Sequence, residues 1–273
     1  MGDHTAQGQG DFAARMKANI KISSIIPTCD RPQFLPEAIA SIHAQSLQPI
    51  EIIVVNNGDK SITAGSLGED VKILNLKPYL GVSAARNAGA EAAKGEFLAF
   101  LDDDDTWDKD FLKHLAVKIK AENASCAFGT RVKFFPDGKT KAYTNKLPQN
   151  IPTSDHANFY KAPGFGGNNF LVSKRDFFAI GGFDKTLRES EDQDLFVRIA
   201  LACLHLTTEP NAICQMRQHH SPRLRYAAPF KGLWPYYSKH RKNLNFKQHL
   251  NFLKEYSRGI RKLVFRILKL KRY

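Results

Sequence analysis

The sequence predicts an α/β fold built on a mainly parallel central sheet flanked by helices. Three observations predict it. Strand and helix patterns alternate through the first hundred residues, each strand pattern is almost continuously apolar, and polar clusters follow the carboxyl ends of the strands. The chain has 273 residues, of which 42% are hydrophobic and 25% charged, so a sizeable globular core is within reach.

Residues 1–19 are polar and rich in Gly and Gln, and read as a flexible leader. Residues 20–26 (IKISSII) form a buried strand pattern closed by Pro27. A helix pattern follows, with Leu35, Ile39 and Ile42 on one face and Pro36 and Glu37 in the first turn. Residues 51–55 (EIIVV) read as a second strand, ending at the turn residues Asn56, Asn57 and Gly58. Residues 71–74 read as a third strand, residues 84–93 as an Ala-rich helix after Gly81, and residues 96–101 as a fourth strand that runs into an acidic stretch. A helix is expected from near Trp107. The second half is less regular: a Gly/Asn turn over 164–169, a short strand over 170–172, a turn at 181–184, and an amphipathic helix over 191–203 with acids in its first turn. Beyond Pro229 the chain is aromatic and basic. It ends in residues 260–270, where Ile260, Leu263, Val264, Ile267 and Leu268 fall at helical spacing among Lys and Arg.

The net charge of +13 is concentrated at one end. Residues 215–273 carry 16 Lys/Arg against Glu255 alone, whereas the rest holds 24 Lys/Arg and 26 Asp/Glu. Such asymmetry points to a polyanionic surface, lipid or nucleic acid, with a solvated charged face as the plain alternative. The four cysteines have no CxxC spacing, which disfavours a zinc site or disulfide framework and suits a reducing compartment. No stretch approaches the roughly 18–20 apolar residues of a membrane span. The first 19 residues lack the apolar segment of a secretory signal, so a cytoplasmic location is expected.

In parallel α/β sheets ligands bind beyond the carboxyl ends of the strands. Residues 28–31, 56–59 and 102–105 fall there together. Asp102, Asp103, Asp104 and Asp105 repel one another, and a hard cation would offset that repulsion. Mg²⁺ and Mn²⁺ suit such oxygen ligands; a solvated acidic turn is the competing account. Glu191, Asp192 and Asp194 either complement a helix dipole or supply a general base. Arg86, at the start of a helix, could add a forked contact to a diphosphate. His219 and His220 are adjacent and would diverge on a strand, one of them a candidate ligand.

The series SIIPTCDRP (24–32), EIIVVNNGD (51–59), GVSAARNAGA (81–90), FLAFLDDDDTW (97–107), GGFD (181–184) and EDQDL (191–195) resembles the family 2 glycosyltransferases of GT-A fold, in order from about residue 21 to about 221. The resemblance implies a Rossmann-like nucleotide-sugar-binding half over 20–107, an acceptor half over 108–225, and a basic helical extension over 226–273. It implies inverting transfer from a nucleotide-sugar donor to a glycan or lipid-linked acceptor, with Mn²⁺ or Mg²⁺ on a DxD motif. By position, Asp192 matches the catalytic base. Pro27, Thr28, Arg31, Arg86, Asp102 and Asp103 match donor contacts, and Asp104 and His219 metal contacts. The four-Asp run blurs the register by one residue, with Asp103 or Asp105 the alternative, and His220 is the alternative to His219. Gly167, Asn168 and Glu191 fall on the acceptor side. Many relatives carry an Asp that accepts a hydrogen bond from uracil where this chain has Asn56 and Asn57; an amide can both donate and accept, which leaves the donor base open. The basic tail is expected to rest on the anionic inner face of the cell membrane. Nucleic acid is not an expected partner, since carboxylates at the strand ends would repel phosphate. A nucleotidyltransferase of similar fold would need a Gly-rich basic loop after the first strand, where Pro27, Thr28, Cys29, Asp30 and Arg31 stand instead.

Overall fold

The computed structural model describes residues 20–63, 65–135, 140–143, 165–218, 229–247, 249–250, 252–254, 256–257 and 260–261. The leader 1–19, His219, His220 and all of 260–270 beyond residue 261 lie outside the described residues.

A nine-stranded sheet organises the chain. Its parallel half runs β3 (Val71–Asn75), β2 (Glu51–Asn56), β1 (Ile22–Thr28), β4 (Phe97–Phe100). The order continues through β8 (Phe170–Ser173), β6 (Cys126–Phe134), β9 (Leu206–Arg217) and β5 (Thr106–Trp107), with β7 (Thr140–Tyr143) paired to β6. Beyond β4 the pairing is antiparallel except between β6 and β9, so the sheet is parallel on one side and mixed on the other.

Every residue of β1 is buried, as expected for a central strand covered on both faces. Its alternation divides the core in two. Ile25, with Ile53, Val55, Leu98 and Phe100, packs under α2 (Val82–Ala92); Ile22 and Ile26, with Ile52, Val54 and Ala99, pack under α1 (Leu35–His43) and α3 (Phe111–Glu122). The close seat of α2 needs Gly89, where a Cβ would come within 2.4 Å of Ile25. α4 (Lys174–Ala179), α5 (Glu191–Leu201) and α6 (Pro229–His240) follow in the second half, and the described residues from 246 to 261 are helical as well.

Two local expectations shift. Pro27 lies inside β1 and does not close it. Its missing N–H faces the β4 side beyond Phe100, where the ladder has already ended, so no sheet hydrogen bond is lost. The helix expected from Trp107 starts instead at Phe111. Trp107 pairs with Cys214 in β9, donates its indole N–H to the Asn168 carbonyl at 2.9 Å and stacks on Phe111. Among the described residues no helix is long and apolar enough to cross a membrane.

Candidate functional site

The acidic run leaves β4 and alternates. Asp103 and Asp105 turn inward and are buried, while Asp102 and Asp104 keep 32% and 11% of their side chains exposed. Thr28, at the end of β1, donates to Asp103 Oδ2 at 2.7 Å, and Arg31 bridges Asp103 and Asp104, the latter at 2.8 Å. Asp105 accepts from the Asn168 amide and from the backbone N–H of Arg217 at 2.9 Å. Burial pushes the Asp103 carboxyl up to about 7, against the pull of Arg31 and Thr28. Burial and the charges of Asp102 and Asp104 push Asp105 well above the usual carboxylate range.

Arg86 on α2 is buried and forks between two acids: one nitrogen lies 2.7 Å from Asp102, the other 3.1 Å from Glu191. Burial works against its charge, but Asp102 and Glu191 outweigh that and hold the guanidinium protonated. Its carbon sits 5.0 Å above the Phe183 ring. Asn87 fixes that ring's turn by bonding both the N–H and the carbonyl of Phe183, at 2.9 and 2.8 Å. Gly167 lies flat on the guanidinium, and a Cβ there would stand 2.5 Å from it. Asp192 follows Glu191 in the first turn of α5, is 8% exposed, and accepts the N–H of Gln193 at 2.8 Å. Glu191 is pushed up by burial and then by Asp192, with Arg86 opposing.

On the other flank, a cavity of about 610 Å³ opens between Thr28, Asp30, Arg31, Asn56, Asp59 and Tyr79. The amide of Asn56 is spent on Lys60, Asn75 and the Gly58 N–H, and that of Asn57 accepts from Leu80. Pro27 is buried behind Thr28 in the strand. Thus Thr28, Arg31, Arg86, the acidic run, Asn168, Gly167, Glu191 and Asp192 come together. Asn56 reaches the cavity wall, Asn57 is buried behind it, and His219 lies outside the described residues.

Sequence reading missed Arg217 and Tyr79, and placed Asp30 at the sheet edge among residues 28–31 without a partner of its own. Arg217 ties Asp105, the Asp104 carbonyl and Glu37 together and lies between the Phe34 and Phe134 rings. It sits on β9, a strand without a clear apolar run. Tyr79 and Asp30 are joined at 3.0 Å across the cavity rim, both at positive φ (60° and 55°), which no local motif announces.

Among the described residues no three His, Cys, Asp or Glu side chains converge as a metal cage. Asp102 and Asp104 are the partly exposed carboxylates of the run, the kind of oxygen ligand that a hard divalent ion takes together with substrate phosphates, and each is paired here with an arginine, Arg86 and Arg31. The buried Arg86 Nε and Asn168 Oδ1 have no hydrogen-bond partner among the described residues, orphaned polar atoms of the kind that polar ligand groups satisfy.

The model for glycosyl transferase family 2 matches residues 23–180, more than half of the chain. Over 242 residues the chain is 28% identical to Escherichia coli WcaA, whose name assigns it to colanic acid biosynthesis, covering 83% of each. It is 30% identical over 178 residues to the GalNAc(5)-diNAcBac-PP-undecaprenol beta-1,3-glucosyltransferase of Campylobacter jejuni, covering 63% of this chain and 57% of that one. In three further bacterial glycosyltransferases the match spans 61%, 27% and 68% of their length. Residues 1–349 of S. aureus TarS, crystallised with UDP, share the fold with a TM-score of 0.58 at 20% identity, covering 76% of this chain and 62% of that one.

Proposed function

Since the chain belongs to glycosyl transferase family 2, we propose that it transfers a sugar, with inversion, from a nucleoside-diphosphate sugar to a glycan or lipid-linked hydroxyl in envelope polysaccharide synthesis. The observation that carries this reading is the fork of Arg86. It ties Asp102, at the carboxyl end of β4, to Glu191, the neighbour of the candidate base, which supports a reading in which donor phosphates and base lie side by side.

The N-terminus of α2 and Arg86 favour the donor's diphosphate. Arg31 and Thr28, held by Asp103, form the wall facing the ribose, and the cavity beside them takes the base. The base is read as uracil, the base of the UDP bound in the TarS complex, with Asn56 at the wall. Asp192 removes the proton of the acceptor hydroxyl, whose oxygen attacks the anomeric carbon from the face opposite the leaving diphosphate; no covalent intermediate is required. Asp104, with Asp102 beside it, would hold Mg²⁺ or Mn²⁺, whose charge offsets the negative charge gathering on the departing diphosphate. The C-terminal extension is read as resting on the anionic inner face of the membrane. Phe246, Leu250 and Leu253, spaced for one helix face and 78%, 51% and 52% exposed, support this.

The deciding experiment is a thermal-shift screen of UDP-, GDP-, dTDP- and CMP-sugars with Mn²⁺, followed by donor turnover. A shift with one nucleotide class is expected, and no shift with any would overturn the reading. Asp192→Asn should lose turnover by about 10²-fold or more while still binding donor, and Asp104→Ala should lose the Mn²⁺-dependent part of binding. Near-normal turnover in the first, or unchanged binding in the second, removes that assignment.

A further inference from the structure

The first turn of α5 has no side-chain cap, and its N-cap residue, Ser190, stands at φ 65°. Its orientation comes from elsewhere. Glu191 is tied to Arg86 on α2, and Asp194 to α6. Asp194 has no exposed surface; His240 Nε2 lies 2.8 Å and Lys239 Nζ 2.7 Å from its Oδ1, while Arg198 of its own helix takes Oδ2 at 2.8 Å. His240 is itself buried against Tyr236. Lys239 also bonds Asp184, in the turn that places Phe183 under Arg86.

Residues two apart on a helix project to nearly opposite sides. Anchoring Asp194 on α6 therefore turns Asp192 away from α6. The Arg86–Glu191 pair, and Leu195, Phe196 and Ile199 packed in the core, hold the rest of the helix. We infer that Lys239 and His240 are positioning residues for Asp192: through Asp194 they fix the first turn of α5, so a segment well beyond the family-matched residues 23–180 is part of what makes the site work. This rests on Asp192 being the base.

The test uses the full chain carrying His240→Ala, Lys239→Ala or His240→Asn, whose amide can still donate to Asp194, with Asp192→Asn as reference. Donor hydrolysis, water replacing the acceptor, is measured with the nucleotide sugar that gives the largest thermal shift. Hydrogen exchange of residues 190–194 is followed alongside. His240→Ala should lower kcat by about 10–100-fold, the scale of an ångström-level misplacement, with donor KM within about 2-fold. Exchange over 190–194 should rise while β1 and β4 stay protected, and His240→Asn should restore most of the rate. Unchanged kcat, or unchanged exchange over 190–194, overturns the inference. So does a joint collapse of kcat, KM and sheet protection without rescue. If Asp192→Asn is inactive while His240→Ala is normal, only this inference falls; if Asp192→Asn remains active, the assignment of the base falls and takes this inference with it.

Discussion

Arg86 is buried and holds two carboxylates and a ring, so small changes around it are costly. Lysine would keep the charge but cannot span Asp102 and Glu191 as a planar fork. Gly167→Ala probes the same point from outside. Its methyl would stand 2.5 Å from the guanidinium carbon, which must then move off one of its acids. The expected result is a destabilisation of about 1–3 kcal/mol in chemical denaturation, with weakened donor binding; wild-type values for both would show that the contact relaxes freely. Arg86 itself was legible, because an Arg at the head of a helix after a glycine has a physical reason to meet phosphate. Its pairing with Glu191, 105 residues away, was not, since no local pattern encodes it.

The elements of the parallel half were legible because each is buried on both faces and so reads as an unbroken apolar run, β1 and β2 above all. β6 and β9 were not. β9 alternates buried, half-exposed and exposed residues and contains Pro210, so neither a continuous run nor a clean alternation survives. In the 191–194 cluster, sequence reading cast Asp192 as the base and set Glu191 on the acceptor side, but assigned Asp194 no part of its own. Burial opposes the charge of Asp194, yet His240, Arg198 and Lys239 outweigh it and hold the carboxyl down to about 2. An Asp of ordinary pKa about 3.9 when unfolded and about 2 when folded stabilises the fold above pH 4 and loses that contribution as pH falls from about 4 to 2, on the order of 2 kcal/mol. Asp194→Asn should therefore be less stable than wild type at pH 7, with the gap closing towards pH 2. A gap independent of pH in denaturation curves would show that the α5–α6 clamp is not electrostatic.

On the scale of the molecule, the chain joins a near-neutral body to a strongly basic end. Each basic residue near an anionic bilayer adds about 1 kcal/mol, and salt screens it over roughly 10 Å at 0.1 M. Co-sedimentation with phosphatidylglycerol vesicles should be strong at low salt, weak at high salt, and reduced in a chain ending at residue 258. Equal binding by both chains at all salt concentrations would remove the membrane reading. The parallel edge of the site was legible as three polar clusters; the contacts that Asn168 and Arg217 make to Asp105 were not, because they come from the mixed-pairing part of the sheet, where no regular apolar pattern marks the elements.

The strand order β6–β9–β5 has a consequence for biosynthesis. Thr106 finds its partner in Gln215, and Asp105 receives the N–H of Arg217, both more than a hundred residues later. At about 5–20 residues per second, the ribosome needs several seconds between making the acidic loop and making the strand that closes it. The acidic loop is therefore made before the strand that closes it, and Asp105 and Thr106 meet their partners only once β9 has been synthesised.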